Sequence, residues 1–239
     1  MTAQSSPAPD SSRNVMKSLI LPGIRNFFIG AIVLGLLLCL LAGTLGYWQG
    51  WVFAILFSGL TNAQGIYLGI KDPALLERRK RVAAAGESRA ERIFIVFALA
   101  ANLGLMALSA LDHRFGWSHV PAWVSVAGDA LMVLSFYVYY LVFRENSCAA
   151  SSITTFEGQQ VISSGLYGHV RHPKYAGDML LIVGSALALG SWWSLVIFVL
   201  MSPALIWRIL DEEQLLKKDL PGYGDYMQKV RHRVVPYVW

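Results

Sequence analysis

FFIGAIVLGLLLCLLAGTL, Phe27–Leu45, holds no charged residue. It is close to the roughly 20 apolar residues that cross a bilayer as a helix. Five further apolar segments follow, near Trp51–Ile70, Ile93–Leu111, Ala122–Phe143, Pro173–Leu189 and Trp192–Ile209. Lipid offers no hydrogen-bond partner to a peptide group, so each segment must satisfy its own backbone and form a helix. None shows the alternating pattern of a barrel strand. The expectation is an all-α, polytopic membrane helix bundle of five to six transmembrane helices, closed by a C-terminal helical hairpin. The fifth segment, Pro173–Leu189, is short, and it decides between five and six.

Composition agrees. The 239 residues are 55% apolar and 15% charged, with a mean hydropathy of +0.49. The net charge is +5, but the basic residues flank apolar runs, which is a membrane-topology signal rather than a nucleic-acid footprint. Lys71, Arg78, Arg79, Lys80, Arg81, Arg89 and Arg92 join the second and third segments. Arg13, Lys17 and Arg25 precede the first, Arg144, Arg171 and Lys174 follow the fourth, and Lys217, Lys218, Lys229, Arg231 and Arg233 end the chain. Six crossings put all of these on one side, which the positive-inside rule makes cytoplasmic. The opposite side is nearly bare: Gly46–Gly50 and Gly190-Ser191 carry no charge, and the remaining loop holds Asp112, His113, Arg114 and His119. Tyr47, Trp48, Trp51, Trp192 and Trp193 beside the two uncharged turns suit an interfacial belt. The expected location is a bacterial inner membrane, multi-pass, with the lipid bilayer as one partner.

Residues 1–14 are rich in Ser, Pro and Ala and read as a disordered tail. Three regions follow from this: a tail over 1–26, transmembrane helices over 27–143 and a C-terminal region over 144–239. The first apolar run is too long, and too closely followed by a second, for a cleaved signal peptide. Cys39 lies in an apolar run and Cys148 in a polar loop, so no disulfide is expected, and neither has metal-ligand spacing. Nucleic acid and metal are not expected partners.

Chemistry concentrates in Gly165-Leu166-Tyr167-Gly168-His169-Val170-Arg171-His172-Pro173-Lys174-Tyr175-Ala176-Gly177. Gly165 and Gly168 allow a sharp turn and close approach to a ligand. Pro173 suits the first position of a helix, whose free N–H groups attract an anion. His172 reads either as a ligand contact or as a satisfied interfacial histidine, and Arg171 as a site residue or a topology anchor. A second cluster, Trp207-Arg208-Ile209-Leu210-Asp211-Glu212-Glu213, ends the sixth segment. Arg208 and Glu212 share a helix face. A tight hairpin at Gly190-Ser191 must bring the two clusters together. The aromatic, basic tail beyond Leu220 either covers that pocket or lies on anionic headgroups.

Gly165-Leu166-Tyr167, Arg171-His172-Pro173-x-Tyr175-x-Gly177, Glu212-Glu213-x-x-Leu216 and Tyr223-x-x-Tyr226 together resemble the isoprenylcysteine carboxyl methyltransferase family of integral membrane enzymes, over roughly residues 144–239. The related phospholipid methyltransferases share that C-terminal plan. The resemblance implies S-adenosyl-L-methionine as methyl donor, held by a cytoplasmic cofactor-binding loop and the last two helices. By position, Gln159, Gln160, Val161 and Ile162 would line the approach. Tyr167, His172, Pro173, Lys174 and Tyr175 would hold the cofactor, with Glu213 at its ammonium or ribose and Glu212 as the alternative. Arg208 would face the acceptor, with Glu212 as the second catalytic candidate. Leu166 stands where the family often has proline, and Lys174 where it has a small or apolar residue. The implied activity is methyl transfer to a lipophilic or small acceptor, a carboxylate favoured, as in protein-S-isoprenylcysteine O-methyltransferases. Phospholipid N- or thiol S-methylation, and a sterol-reductase-like NADPH-dependent oxidoreductase, are the alternatives.

Overall fold

A computed structural model describes residues 9–85, 89–146 and 160–239. It consists of α1 (Pro9–Ala42), α2 (Trp48–Lys71), α3 (Pro73–Ala85), α4 (Arg89–Phe115), α5 (Ala122–Glu145), α6 (Pro173–Ala188), α7 (Leu195–Asp219) and α8 (Tyr223–Lys229), with a 3-10 turn at Gly165–Gly168. Among the described residues there is no strand, so the helix-bundle expectation holds. Helix α1 begins at Pro9, a residue suited to a first helical position, and so runs through most of the stretch expected as a tail.

Among the described residues, four helices are long and apolar enough to cross a membrane: Ile20–Ala42 within α1, Trp48–Lys71, Arg92–Phe115 within α4, and Ala122–Glu145. Their outward faces are rich in exposed Leu, Ile, Val and Trp, as expected where the solvent is lipid. Helix α6 has 16 residues, about 24 Å at 1.5 Å per residue. Helix α7 continues ten residues past the apolar run that ends at Ile209, through Asp211, Glu212 and Glu213 to Asp219. Lys217 and Lys218 in its last turn complement the negative end of the helix dipole.

The turns collect at two ends of the bundle. At one end Asp112 is fully buried. Its Oδ1 accepts the Ser118 N–H at 2.8 Å, and its Oδ2 accepts the Ser118 and Ser191 hydroxyls, each at 2.5 Å. Tyr47 donates to the Leu189 carbonyl at 2.6 Å and stacks on His113. These bonds fasten the α1–α2, α4–α5 and α6–α7 connections to one another. Cys39 is a buried free thiol near this end, while Cys148 lies outside the described residues.

Helix α6 is held by α5. A side chain at Gly128 would collide with the backbone of Ala188, and one at Gly184 would sit 2.9 Å from the Met132 nitrogen. Glycine at both positions lets the two backbones touch, as small residues do between membrane helices. Toward the other end Ser135 donates to the Gly177 carbonyl at 2.8 Å. Short α6 therefore runs alongside α5 from the Asp112 end to the opposite one, where α7 also ends.

Candidate active site

Four backbone features assemble the second polar end. Pro173 starts α6, with His172 as its N-cap. The C-terminal strap lies against the residues just before that helix: Arg171 N–H donates to the His232 carbonyl at 2.9 Å and His172 N–H to the Arg233 carbonyl at 2.8 Å. Helix α7 delivers Arg208, Glu212 and Glu213 from the other side. The 3-10 turn carries Tyr167, whose carbonyl accepts the Tyr226 hydroxyl of α8 at 2.7 Å and whose own hydroxyl accepts from Asn146 at 3.0 Å. Burial pushes the Tyr226 phenol up to about 12, so it stays a neutral donor.

The two neighbouring glutamates differ. Glu213 is buried, and both its oxygens are taken. Oε1 accepts from Arg171 Nε at 2.7 Å and lies 3.3 Å from His172 Nε2, and Oε2 accepts from Arg233 Nε at 3.0 Å. Burial pushes the Glu213 carboxyl up, but His172, Arg171 and Arg233 outweigh it and hold it at about 2. Arg171 also donates to the Val230 and Arg231 carbonyls, at 2.9 and 3.2 Å. Glu213 and Arg171 thus form a buried knot that ties the strap to α6 and α7.

Glu212 is a quarter exposed, at 26% of its side chain. Its Oε2 accepts the Tyr175 hydroxyl at 2.7 Å, and its Oε1 is 3.9 Å from His172 Nδ1. Arg208 is buried one turn earlier, with its guanidinium 5.1 Å from the Phe94 ring centre and within electrostatic reach of the Tyr175 phenol.

The structure therefore brings together His172, Pro173, Tyr175, Arg208, Glu212 and Glu213. Tyr167 joins through Tyr226, and half-buried Val161 packs on the cluster of Leu220, Tyr223, Tyr226 and Val230. Gln160 is exposed and Ile162 half-buried. Gln159 lies outside the described residues. The Lys174 ammonium is turned away, to Asp178 at 3.0 Å. Sequence reasoning left Arg171 open as a topology anchor and treated Arg233 as one charge of a basic tail; both grip Glu213. The Arg-His-Pro element and the basic tail were visible, but their convergence on one carboxylate was not. Among the described residues, no group of three His, Cys, Asp or Glu side chains is arranged to hold a metal.

Much of this geometry lies within a stretch that matches a known family, while Tyr226 and the strap residue Arg233 fall after it. A family model for phospholipid methyltransferases matches residues 123–221, from the start of α5 to just past the end of α7. The stretch carrying Tyr175, Arg208 and both glutamates is thus similar to a family of membrane methyltransferases. The chain is also 31% identical over 123 residues to delta(14)-sterol reductase TM7SF2 of Mus musculus, covering 46% of this chain and 29% of that protein. The chain spans less than a third of the length of that relative.

Proposed function

We propose that this protein is an integral membrane methyltransferase that takes its methyl group from S-adenosyl-L-methionine and gives it to a lipophilic or small acceptor, a carboxylate favoured. The observation that carries the reading is the meeting of the α6 N-terminal turn with the acidic end of α7, through Tyr175 and Glu212. The donor would supply a methyl group on a positively charged sulfur.

The available side chains fit such a molecule. Glu212 is partly exposed and, among the described residues, accepts from Tyr175 and lies 3.9 Å from His172, so it suits an ammonium group. Half-buried Tyr167 offers an aromatic face to an adenosyl moiety or a cationic sulfur, while buried Tyr175 acts through its hydroxyl on Glu212. Glu213, already neutralised by Arg171, Arg233 and His172, serves better as scaffold. We therefore assign Glu212 to the cofactor and Glu213 to positioning. Val161, Ile162 and Gln160, with Gln159, would flank the entrance, while Pro173 and Lys174 would contribute backbone at the start of α6.

Methyl transfer from a sulfonium to a carboxylate neutralises charge and needs no base. The residues must chiefly align donor and acceptor, which can lower a barrier by several kcal/mol. Arg208 has the planar fork that grips a carboxylate through two parallel hydrogen bonds. Its place one turn from Glu212 would put the acceptor beside the donor. The basic flanks support a cytoplasmic side for this end of the bundle.

The second reading, an NADPH-dependent reductase, is favoured by the sterol reductase match alone. Parallel titrations of the purified protein with S-adenosylhomocysteine and NADPH separate the two. The proposal expects saturable binding of the former and none of the latter; the reverse result refutes it.

A further inference from the structure

At the end of the bundle opposite Tyr175, three enclosed side-chain oxygens meet no hydrogen-bond partner among the described residues: Gln49 Oε1 at the start of α2, and Ser125 Oγ and Asp129 Oδ1 on α5. Ser125 is fully buried and Asp129 is 9% exposed. The methyl-transfer reading uses none of them. The turn between α6 and α7 joins the first two. A side-chain carbon on Gly190 would sit 3.1 Å from the Gln49 amide nitrogen and 3.5 Å from Ser125 Oγ, so both groups lie over the same bare face of that glycine. Gly190 has a φ of +69°, a backbone shape that favours glycine and keeps the face bare. Asp129 follows Ser125 by four residues and shares its side of α5. Further along that side, Phe136 meets the Phe57 ring of α2 with centres 6.2 Å apart. The stripe therefore faces the helix that carries Gln49.

The cluster is rich in acceptors and holds one acidic group. Asp129 lies within the membrane-spanning stretch Ala122–Glu145, and among the described residues no basic side chain pairs with it. An unpaired carboxylate away from water is costly, and an ionisable residue at membrane depth marks a site by default. The last turn of α6 presses on the same stretch. A side chain at Gly128 would sit 2.8 Å from the Gly184 carbonyl and collide with the backbone at Ala188, where α6 ends. The C-terminal end of a helix is negative and adds to the attraction of a cation. Carboxylate, amide and hydroxyl oxygens suit a hard cation. One carboxylate balances one positive charge, and among the described residues no group of three His, Cys, Asp or Glu is placed to hold a more highly charged metal.

We infer that Gln49, Ser125 and Asp129 form a buried site for one alkali cation, sodium or potassium, which bridges α2 and α5 beneath the α6–α7 turn. Gln49 is half-buried and follows exposed Trp48, so the ion enters from the water at this end of the bundle.

The test uses the full chain in detergent without cofactor or acceptor, so its outcome is independent of the methyl-transfer reading. Unfolding temperature is followed while N-methylglucamine chloride is exchanged for sodium chloride, or for potassium chloride, at constant ionic strength. At least one alkali ion should raise it saturably in wild type. Asp129→Asn should lose that response, yet in N-methylglucamine it should unfold no lower than wild type, because the unpaired charge is gone; damaged folding does not give that result. Ser125→Ala should keep the response but need about fivefold more ion to reach its midpoint, as the loss of one polar contact does. Asp225→Asn, at an exposed acid of the other end, should respond as wild type. Equal unfolding temperatures of wild type in all three salts would mean that these oxygens hold water alone and would overturn the inference, as would an undiminished ion response in Asp129→Asn. Should that variant not fold, an unshifted midpoint in both Ser125→Ala and Gln49→Ala overturns it.

Discussion

The hydroxyl of Tyr175 at the start of α6 donates a 2.7 Å hydrogen bond to Oε2 of Glu212 near the end of α7. It joins two residues 37 positions apart and leaves Glu212 partly exposed, in contrast to its enclosed neighbour. If Glu212 meets the cofactor ammonium, Glu212→Gln removes a charge-assisted hydrogen bond, worth about 1.5–3 kcal/mol. Affinity for S-adenosylhomocysteine should fall by about tenfold or more in a calorimetric titration. Tyr175→Phe, which frees the same carboxylate without removing its charge, should cost less.

Glu213→Gln should behave differently. Its carboxylate holds Arg171, His172 and Arg233, and removing one partner of a buried charge cluster costs about 3 kcal/mol or more. The expected result is a marked drop in unfolding temperature and early proteolysis of the C-terminal strap. A Glu213→Gln protein as stable as wild type would show that the knot contributes nothing.

The same carboxyl predicts an acid response. Its folded value, about 2, lies below the ordinary 4.5. The stability it contributes is present above about pH 4.5 and is lost as pH falls toward 2. Unfolding temperature measured from pH 6 to pH 3 should decline in wild type, and the decline should be shallower in Glu213→Gln.

Much of this was legible in the chain and some was not. Apolar runs such as Phe27–Leu45 announce membrane helices because length and the absence of charge suffice. The hairpin at Gly190-Ser191 then forces the Tyr175 and Glu212 clusters together, whatever their details. The difference between Glu212 and Glu213 was out of reach. They are sequence neighbours, and what separates them is Arg233, brought in by a strap with no periodic signature. Helix α3 was hidden as well: its basic residues read as a topology signal, and nothing local shows that Arg79 turns in over the Phe143 ring of α5 while Lys80 turns out.

At the far end, Asp112→Ala should leave the Ser118 and Ser191 hydroxyls without their shared acceptor and destabilise the protein by about 3 kcal/mol, as the loss of a buried charge-assisted network does. Asp112→Asn, which keeps one oxygen acceptor, should lose less. Because this network lies at the opposite end from Tyr175, affinity for S-adenosylhomocysteine in the folded fraction should be unchanged in both. Thermal unfolding and titration of the same samples check the two halves of the prediction.

Arg208→Ala tests the acceptor side. Lost alignment should lower the rate of methyl transfer at least tenfold while leaving cofactor affinity within about twofold, since positioning acts on the barrier rather than on donor binding. A variant that loses cofactor affinity in proportion to its rate would move Arg208 to the donor.

The central claim is that this bundle transfers a methyl group at the site built around Tyr175 and Glu212. Membranes containing the full-length protein are incubated with S-adenosyl-L-methionine carrying a labelled methyl group, and label is counted in the extracted lipid, protein and small-molecule fractions. The account predicts label in one fraction above that of membranes lacking the protein, falling to background with Glu212→Gln. Label at background with the wild-type protein, or equal labelling by wild type and Glu212→Gln, would contradict it.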